Sequence, residues 1–348
     1  MMFLNRYSDS FNANVSKFLL KLIKLALWFG ALSYIIYRLV YFSGEHFDNW
    51  TAAVQPGRMV FLMLLVVCLL SIANWSLESF KWQLLAGKIQ KLSFVCSFKG
   101  VLIGVAMGMI TPKRLGEFAG RAIVLEKKNR VKGAVINVAG TICQLSVTVV
   151  AGIISMSFLF YNKNINFTHF FSLNGGLAIM FIVLFMVAII YVFWNTILNR
   201  MLNFAWFHSL YEKLFIFREV SKSELISLLF LSLLRYVVFM LQCFLLFSLA
   251  GLKLSFPEAF LFQSVVFLLM TVLPVTALSE LAVKSGVAIM AFSHIFAGSI
   301  AGYQGYEVSL VIANGLLWLI NLAIPALIGV IWGVENEFSV CFSKTIIK

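Results

Sequence analysis

Charge is scarce in this chain. Charged residues make up 12% of its 348 positions against 61% hydrophobic ones, and the mean hydropathy is +0.96. Soluble domains run near half apolar and a quarter charged, so a soluble globular fold is excluded and an integral membrane protein is implied. Long polar stretches are missing too. The longest polar connections, near 198–223 and 125–132, are too short to fold as a separate soluble domain. His46, His169, His208 and His294 stand alone, without an HExxH pattern. Cys68, Cys96, Cys143, Cys243 and Cys341 are scattered and show no CxxC or metal-ligand spacing. No metal or other cofactor is expected, and the cysteines read as small apolar side chains. A nucleotide-binding motif is absent, so ATP is not expected to act directly. The polar N-terminal segment lacks a small-residue cleavage site, and the first apolar run is read as a retained anchor.

What is present is a series of apolar runs and an excess of basic charge, formally +13. In a membrane protein such charge reports topology before it reports nucleic acid, and no nucleic-acid partner is expected. A transmembrane helix needs about 20 apolar residues. Full spans are predicted at 20–42, 59–80, 133–160, 173–198, 225–250 and 307–333, with shorter runs at 94–110 and 257–273 and further helical stretches at 113–125 and 279–301. The N-terminus and the connections at 81–93, 113–132 and 198–224 are rich in Lys and Arg, whereas 43–57, 161–172, 251–256 and 302–306 have almost none. The asymmetry places the N-terminus in the cytoplasm, with 94–125 and 258–301 as hairpins entering from opposite faces. A full crossing by 279–301 stays open at this point, since that stretch is long enough.

The expected fold is therefore all-α: a polytopic membrane protein of about six full spans plus two re-entrant helical hairpins in an inverted repeat. It forms a single membrane domain, 1–348. The first repeat is 59–160 with its helix broken at 111–117, and the second is 225–333 broken at 273–280. Each break reads as proline, a short turn, glutamate and a cation four residues on: Pro112, Gly116, Glu117 and Arg121 in the first, Pro274, Glu280 and Lys284 in the second. Inverted repeats with paired broken helices are the layout of many secondary transporters, whose substrates bind where the breaks meet. The plainer alternative is that Pro112 and Pro274 merely end ordinary helices at the interface.

Ionisable groups inside apolar runs point to a site. Arg114 and Arg121 offer forked donors suited to phosphate, with Glu117 balancing their charge. The helix start after Pro112 adds backbone N–H groups aimed at an anion. Glu280 and Lys284 lie in an otherwise apolar stretch, and Thr276 nearby reads as a cap. Arg235 falls near the middle of its span, where it is expected to face the interior and pair with Glu280 or Glu117. Glu78 and Asn74 share a helix face near the second span's end and are placed to line a cavity, while Trp75, Lys81 and Trp82 there mark an interface. Asn137, Gln144, Asn314 and Asn321 read as interhelical hydrogen-bonding groups.

The run Pro112-Lys113-Arg114-Leu115-Gly116-Glu117 followed by Arg121 resembles the P-x-R-x-G-E…R element of the flippase-like domain, also called the lysylphosphatidylglycerol synthase transmembrane region. Lys81-Trp82 resembles that family's basic-Trp element. Leu273-Pro274 followed by Glu280 resembles its second element, with Val275-Thr276-Ala277-Leu278 where the family tends to have glycines. The resemblance covers roughly 20–335. Some members of that family fuse the membrane domain to a soluble aminoacyl-lipid synthase, and no such domain is read here. The resemblance implies a translocase for a phosphate-bearing lipid in the bacterial inner membrane. Its expected partners are membrane lipids with an anionic phosphate headgroup, and no protein partner is assigned. The expected substrate-binding residues are Arg114, Glu117, Arg121, Arg235, Glu280 and Lys284, with no catalytic residue. The rival readings are a membrane enzyme acting on a lipid-linked substrate and an accessory subunit of an envelope-lipid synthesis complex.

Overall fold

A computed structural model describes residues 57–111, 114–161, 219–273, 275, 277–296 and 305–334. The predicted spans 20–42 and 173–198, with Pro112, Pro274 and Thr276, lie outside these residues. The described chain is helical throughout. In order it forms α1 (Arg58–Ala86), α2 (Phe94–Ile110), α3 (Gly116–Ala122), α4 (Arg130–Tyr161), α5 (Lys222–Leu249), α6 (Phe256–Val272), α7 (Ala277–Ile295), α8 (Tyr306–Trp318) and α9 (Ile324–Val334).

Four stretches, Arg58–Ala86, Lys127–Leu159, Lys222–Leu249 and Tyr306–Gly333, are long and apolar enough to cross a membrane. They coincide with four of the predicted spans. Each leaves an apolar face uncovered: Phe61, Leu65, Leu69 and Ile72 on α1 and Phe230, Leu233, Val237 and Leu241 on α5 are exposed. In water that surface would be costly; against acyl chains it is at home.

The two short helices have matching ends. Ser93 caps α2, its hydroxyl accepting from the Cys96 N–H, and Ser255 forms a capping box with Glu258 at α6. Both helices have 17 residues, and both finish on an extended residue, Thr111 (ψ 144°) and Leu273 (ψ 130°). At about 1.5 Å per residue each is some 25 Å long, short of the roughly 30 Å hydrocarbon layer.

After each break the chain turns back on itself. On the first side Gly120 lies against Gly104, and Val124 against Gly100, so α3 returns along α2. Gln90, just before α2, accepts hydrogen bonds from the Glu126 N–H (3.1 Å) and the Asn129 amide (3.2 Å), so the hairpin leaves at the end where it entered. Lys88 pairs with Glu224 at 2.6 Å, bringing the start of α5 to that same end. On the other side Lys284 faces Phe267, while Phe292 and Phe296 lie against Phe262, so α7 runs back along α6. The long helical stretch after the second break therefore returns towards the start of α6 as far as the described residues run.

The hairpins are held crosswise. α4 packs on α6 and α9 on α2, while α1 lies along α5. Gly152 of α4 sits on Ser264 and Leu268, and Gly329 of α9 sits on the backbone of Leu102 and Ile103. Small residues at such crossings let backbones approach within van der Waals reach, the main attraction available between helices in lipid. Two apolar cores result. One gathers Trp82, Leu85, Val101, Leu125, Ile136 and Leu228; the other gathers Val67, Phe247, Phe262, Phe292, Tyr306 and Leu310. Along α1 the buried polar residues Ser71 and Asn74 fall between them, and Glu78 lies between Trp75 and Trp82 of the first.

The last span carries an irregularity with a local cause. Leu319–Ala323 is wound as a π turn. Pro325 lacks an N–H, and its ring would clash with the carbonyl of Asn321 one turn back. Loosening that turn relieves the clash, and the Ile320 carbonyl accepts from the Ser71 hydroxyl at 3.2 Å. Cys143 and Cys243 are buried thiols as expected; Cys68 is exposed and Cys96 is disulfide-bonded.

Candidate functional site

One carboxylate anchors the polar centre. Glu78, 5% exposed, accepts from Arg121 at 2.5 Å, from Arg235 at 2.9 Å and from Lys81 at 3.1 Å. The helical repeat of α1 puts Asn74, Glu78 and Lys81 on one face, which is turned towards α4 and α5. Asn74 accepts from Arg235 Nε at 2.9 Å and donates to Asn321 at 3.5 Å. Lys81 reaches Gln144 at 3.3 Å, and Arg121 also donates to Asn137 at 3.1 Å. Arg235 stacks over Trp75, 5.4 Å from the ring centroid, a further attraction for a guanidinium out of water. The sequence expectation for Arg235 is corrected here: it faces the interior, but its carboxylate is Glu78 and neither Glu280 nor Glu117. In the sequence Trp75, Lys81 and Trp82 mark an interface, and Glu78 with Asn74 reads as a pair placed to line the cavity. Lys81 is a local partner at i+3, but the two arginines come from 43 and 157 residues away, and no local signal announces them.

The first hairpin extends this centre. Arg121 donates to Glu117 at 3.1 Å, and Glu117 pairs with Arg114 at 2.6 Å. Glycines make the room. A Cβ on Gly108 would stand 2.6 Å from Glu117 Cγ, and one on Gly104 2.8 Å from Arg121 Cγ. Gly100, Gly104 and Gly108 recur every fourth residue, and Gly116 and Gly120 answer them on α3. This small-residue pattern was readable in the sequence and marks the helix pair. The expected backbone anion cradle after Pro112 is not free: the Gly116 N–H donates to the Thr111 hydroxyl at 2.7 Å, and α3 has only seven residues.

Arg114 stands at the break with φ 57°, among the described residues the only non-glycine with positive φ. That left-handed backbone costs an L-residue about 1–2 kcal/mol, and such strain gathers at functional sites. It turns the guanidinium across the molecule to within 3.9 Å of Glu280 on α7. Side chains from the two breaks thus meet. They line a cavity of about 70 Å³ together with Arg235, Lys284, Asn314 and Asn321, Trp75 and Trp318. A volume of that order holds roughly two waters.

Arg114, Glu117, Arg121, Arg235 and Glu280 are therefore joined in one ionic chain through Glu78. Lys284 joins differently. Although Lys284 follows Glu280 by four residues, the ammonium lies 4.9 Å from the centroid of the Phe267 ring and makes no ion pair among the described residues. Gly116 is at the first break, as expected.

A family model described as the lysylphosphatidylglycerol synthase TM region matches residues 21–329, and the chain belongs to that family. No curated protein and no solved structure matches it. With its four membrane-crossing helices, the chain is a multi-pass membrane protein of a family tied to lipid metabolism.

Proposed function

We propose that this protein is a flippase-like lipid translocase that moves a phosphate-bearing lipid between the leaflets of the bacterial inner membrane. Arg114, Arg235 and Lys284 form the basic wall that receives the headgroup and Glu280 balances it, while Arg121 and Glu117 do not line the cavity and hold Arg114 from behind it. The observation that carries this reading is the approach of Arg114 to Glu280 across a cavity that Arg235 also lines. Groups from two distant breaks converge there, and irregular backbone at such depth is tolerated where it faces protein or a wet cavity.

The architecture we attach to it is six spans and two re-entrant hairpins in an inverted repeat, 59–160 and 225–333, with the N-terminus cytoplasmic. Support comes from the paired 17-residue helices with serine caps, and from the crosswise packing of α4 on α6 and α9 on α2. The offset between Glu117 and Glu280 equals that between Arg121 and Lys284. Asn137 and Gln144 on α4 have the same spacing as Asn314 and Asn321 on the last span. Alternating access in such folds is a rocking of one repeat against the other around a fixed site, and the loose Arg114–Glu280 contact is the seam along which the halves part.

The test is leaflet exchange of labelled phospholipids in vesicles carrying the purified protein. Wild type should exceed empty vesicles, and Arg114→Ala and Glu280→Gln should slow exchange by roughly tenfold, the loss of one charged contact. Unchanged rates in both variants would remove the site assignment. A wild-type rate equal to empty vesicles would remove translocation.

A further inference from the structure

The two halves of the site are built alike and completed differently. In the first, Arg121 passes over Gly104 and finds Glu78 on α1 and Asn137 on α4. In the second half Lys284 follows Glu280 by four residues as Arg121 follows Glu117, and Asn314 precedes Asn321 by seven as Asn137 precedes Gln144. The helix before the second hairpin, α5, carries no acidic residue beyond Glu224 to take the part of Glu78. Lys284 accordingly rests on the Phe267 ring with no ion pair among the described residues. Among the described residues Asn314 has an amide nitrogen without a partner. The two are 8% and 2% exposed, and both line the cavity. A buried ammonium and a buried amide N–H left without acceptors are costly. An anion in the cavity would supply for the second half what Glu78 supplies for the first.

The charge of that anion follows from its surroundings. The cavity wall holds Arg114, Arg235 and Lys284 against Glu280, an excess of two positive charges. Adding the ionic chain behind it brings in Lys81 and Arg121 with Glu78 and Glu117, and the excess stays at two. In a water-poor site uncompensated charge is expensive, so a dianion balances it and a monoanion leaves one charge over.

We infer that Lys284 and Asn314 form the seat of a dianionic phosphoryl group, a phosphomonoester or diphosphate, with Arg114 and Arg235 closing on it from the opposite wall. This rests on the translocase reading in taking the anion to be a lipid headgroup. It narrows the substrate from phospholipids at large to lipids ending in a terminal phosphate or diphosphate, against phosphodiesters such as phosphatidylglycerol.

The experiment is equilibrium binding to the full-length protein in detergent at about pH 8, where a phosphomonoester carries close to two charges. The probes are fluorescent dioleoyl phosphatidic acid, the matching phosphatidylglycerol and inorganic pyrophosphate as competitor. Wild type should bind phosphatidic acid at least about tenfold tighter than phosphatidylglycerol, one extra charged contact's worth. Lys284→Met and Asn314→Ala should each bring that ratio near one through loss of phosphatidic acid affinity, and Lys284→Arg should keep most of it. Equal wild-type affinities for the two lipids would overturn the inference and need no variant to fold. A ratio that survives Lys284→Met would overturn it as well. Pyrophosphate binding without lipid binding would assign the seat to a soluble anion and overturn the lipid claim. Leaflet exchange separates the two readings: exchange without the dianion preference leaves translocation standing alone, and the preference without exchange leaves only the binding site.

Discussion

Neutralising Glu78 should damage the protein far more than neutralising Glu280, although both are single buried-region glutamates of one ionic chain. Glu78→Gln keeps the shape and one acceptor oxygen but removes the charge facing Arg121 at 2.5 Å, Arg235 at 2.9 Å and Lys81 at 3.1 Å. Removing one partner of a buried pair costs about 3–5 kcal/mol because the other charge stays buried. Arg235 and Lys81 lose their one paired carboxylate while Arg121 keeps Glu117, and two stranded cations place Glu78→Gln at the upper end, a fall in melting temperature of roughly 5–10 °C for a chain of this size. Glu280 touches one cation at 3.9 Å and is partly exposed, so Glu280→Gln should cost at most about 1 kcal/mol. The assay is thermal unfolding of the two variants and wild type in one detergent. A second cycle sharpens it: Glu78→Gln with Arg235→Gln should melt above the sum of the single losses, because one stranded cation is gone, with a coupling of about 1–3 kcal/mol. If Glu78→Gln melts within about 2 °C of Glu280→Gln, a range typical of surface ion pairs, the carboxylate does not anchor the centre and the argument fails.

Arg114→Gly should melt up to about 1 kcal/mol above Arg114→Ala, since both lose the contacts to Glu117 and Glu280 and only glycine is at ease in the left-handed backbone; equal melting points would contradict the strain. Gly120→Ala should cost about 1–3 kcal/mol by overpacking, since its Cβ would stand 2.6 Å from Gly104 Cα; an unchanged melting curve would show the hairpin to be loose. Cysteines placed at Lys88 and Lys128 should react with an impermeant thiol reagent from the cytoplasmic face and one at Lys253 from the other, since positive charge is retained inside; labelling of all three from one face would break the topology.

The composition settled the solvent: with so few charges this chain has to live in lipid, and apolar runs of the right length had to be spans. The ends of α2, the place of the break before Gly116, and the Glu–cation pairs at i, i+4 are local properties, so short stretches of sequence display them. The glycine stripe at Gly100, Gly104 and Gly108 is equally local, and its every-fourth-residue repeat already spelled out a close helix contact. What tertiary structure alone decided is which charges meet. Arg235 and Arg121 converge on Glu78 because α1 lies along α5 and the first hairpin folds back between α1 and α4, and no spacing along the chain encodes that. The same holds for Arg114 reaching Glu280 and for Lys284 resting on Phe267 without a carboxylate. Helix periodicity fixes which residues share a face. Which face meets which is fixed by packing, and in a membrane packing depends on small residues and on the expense of leaving a charge alone.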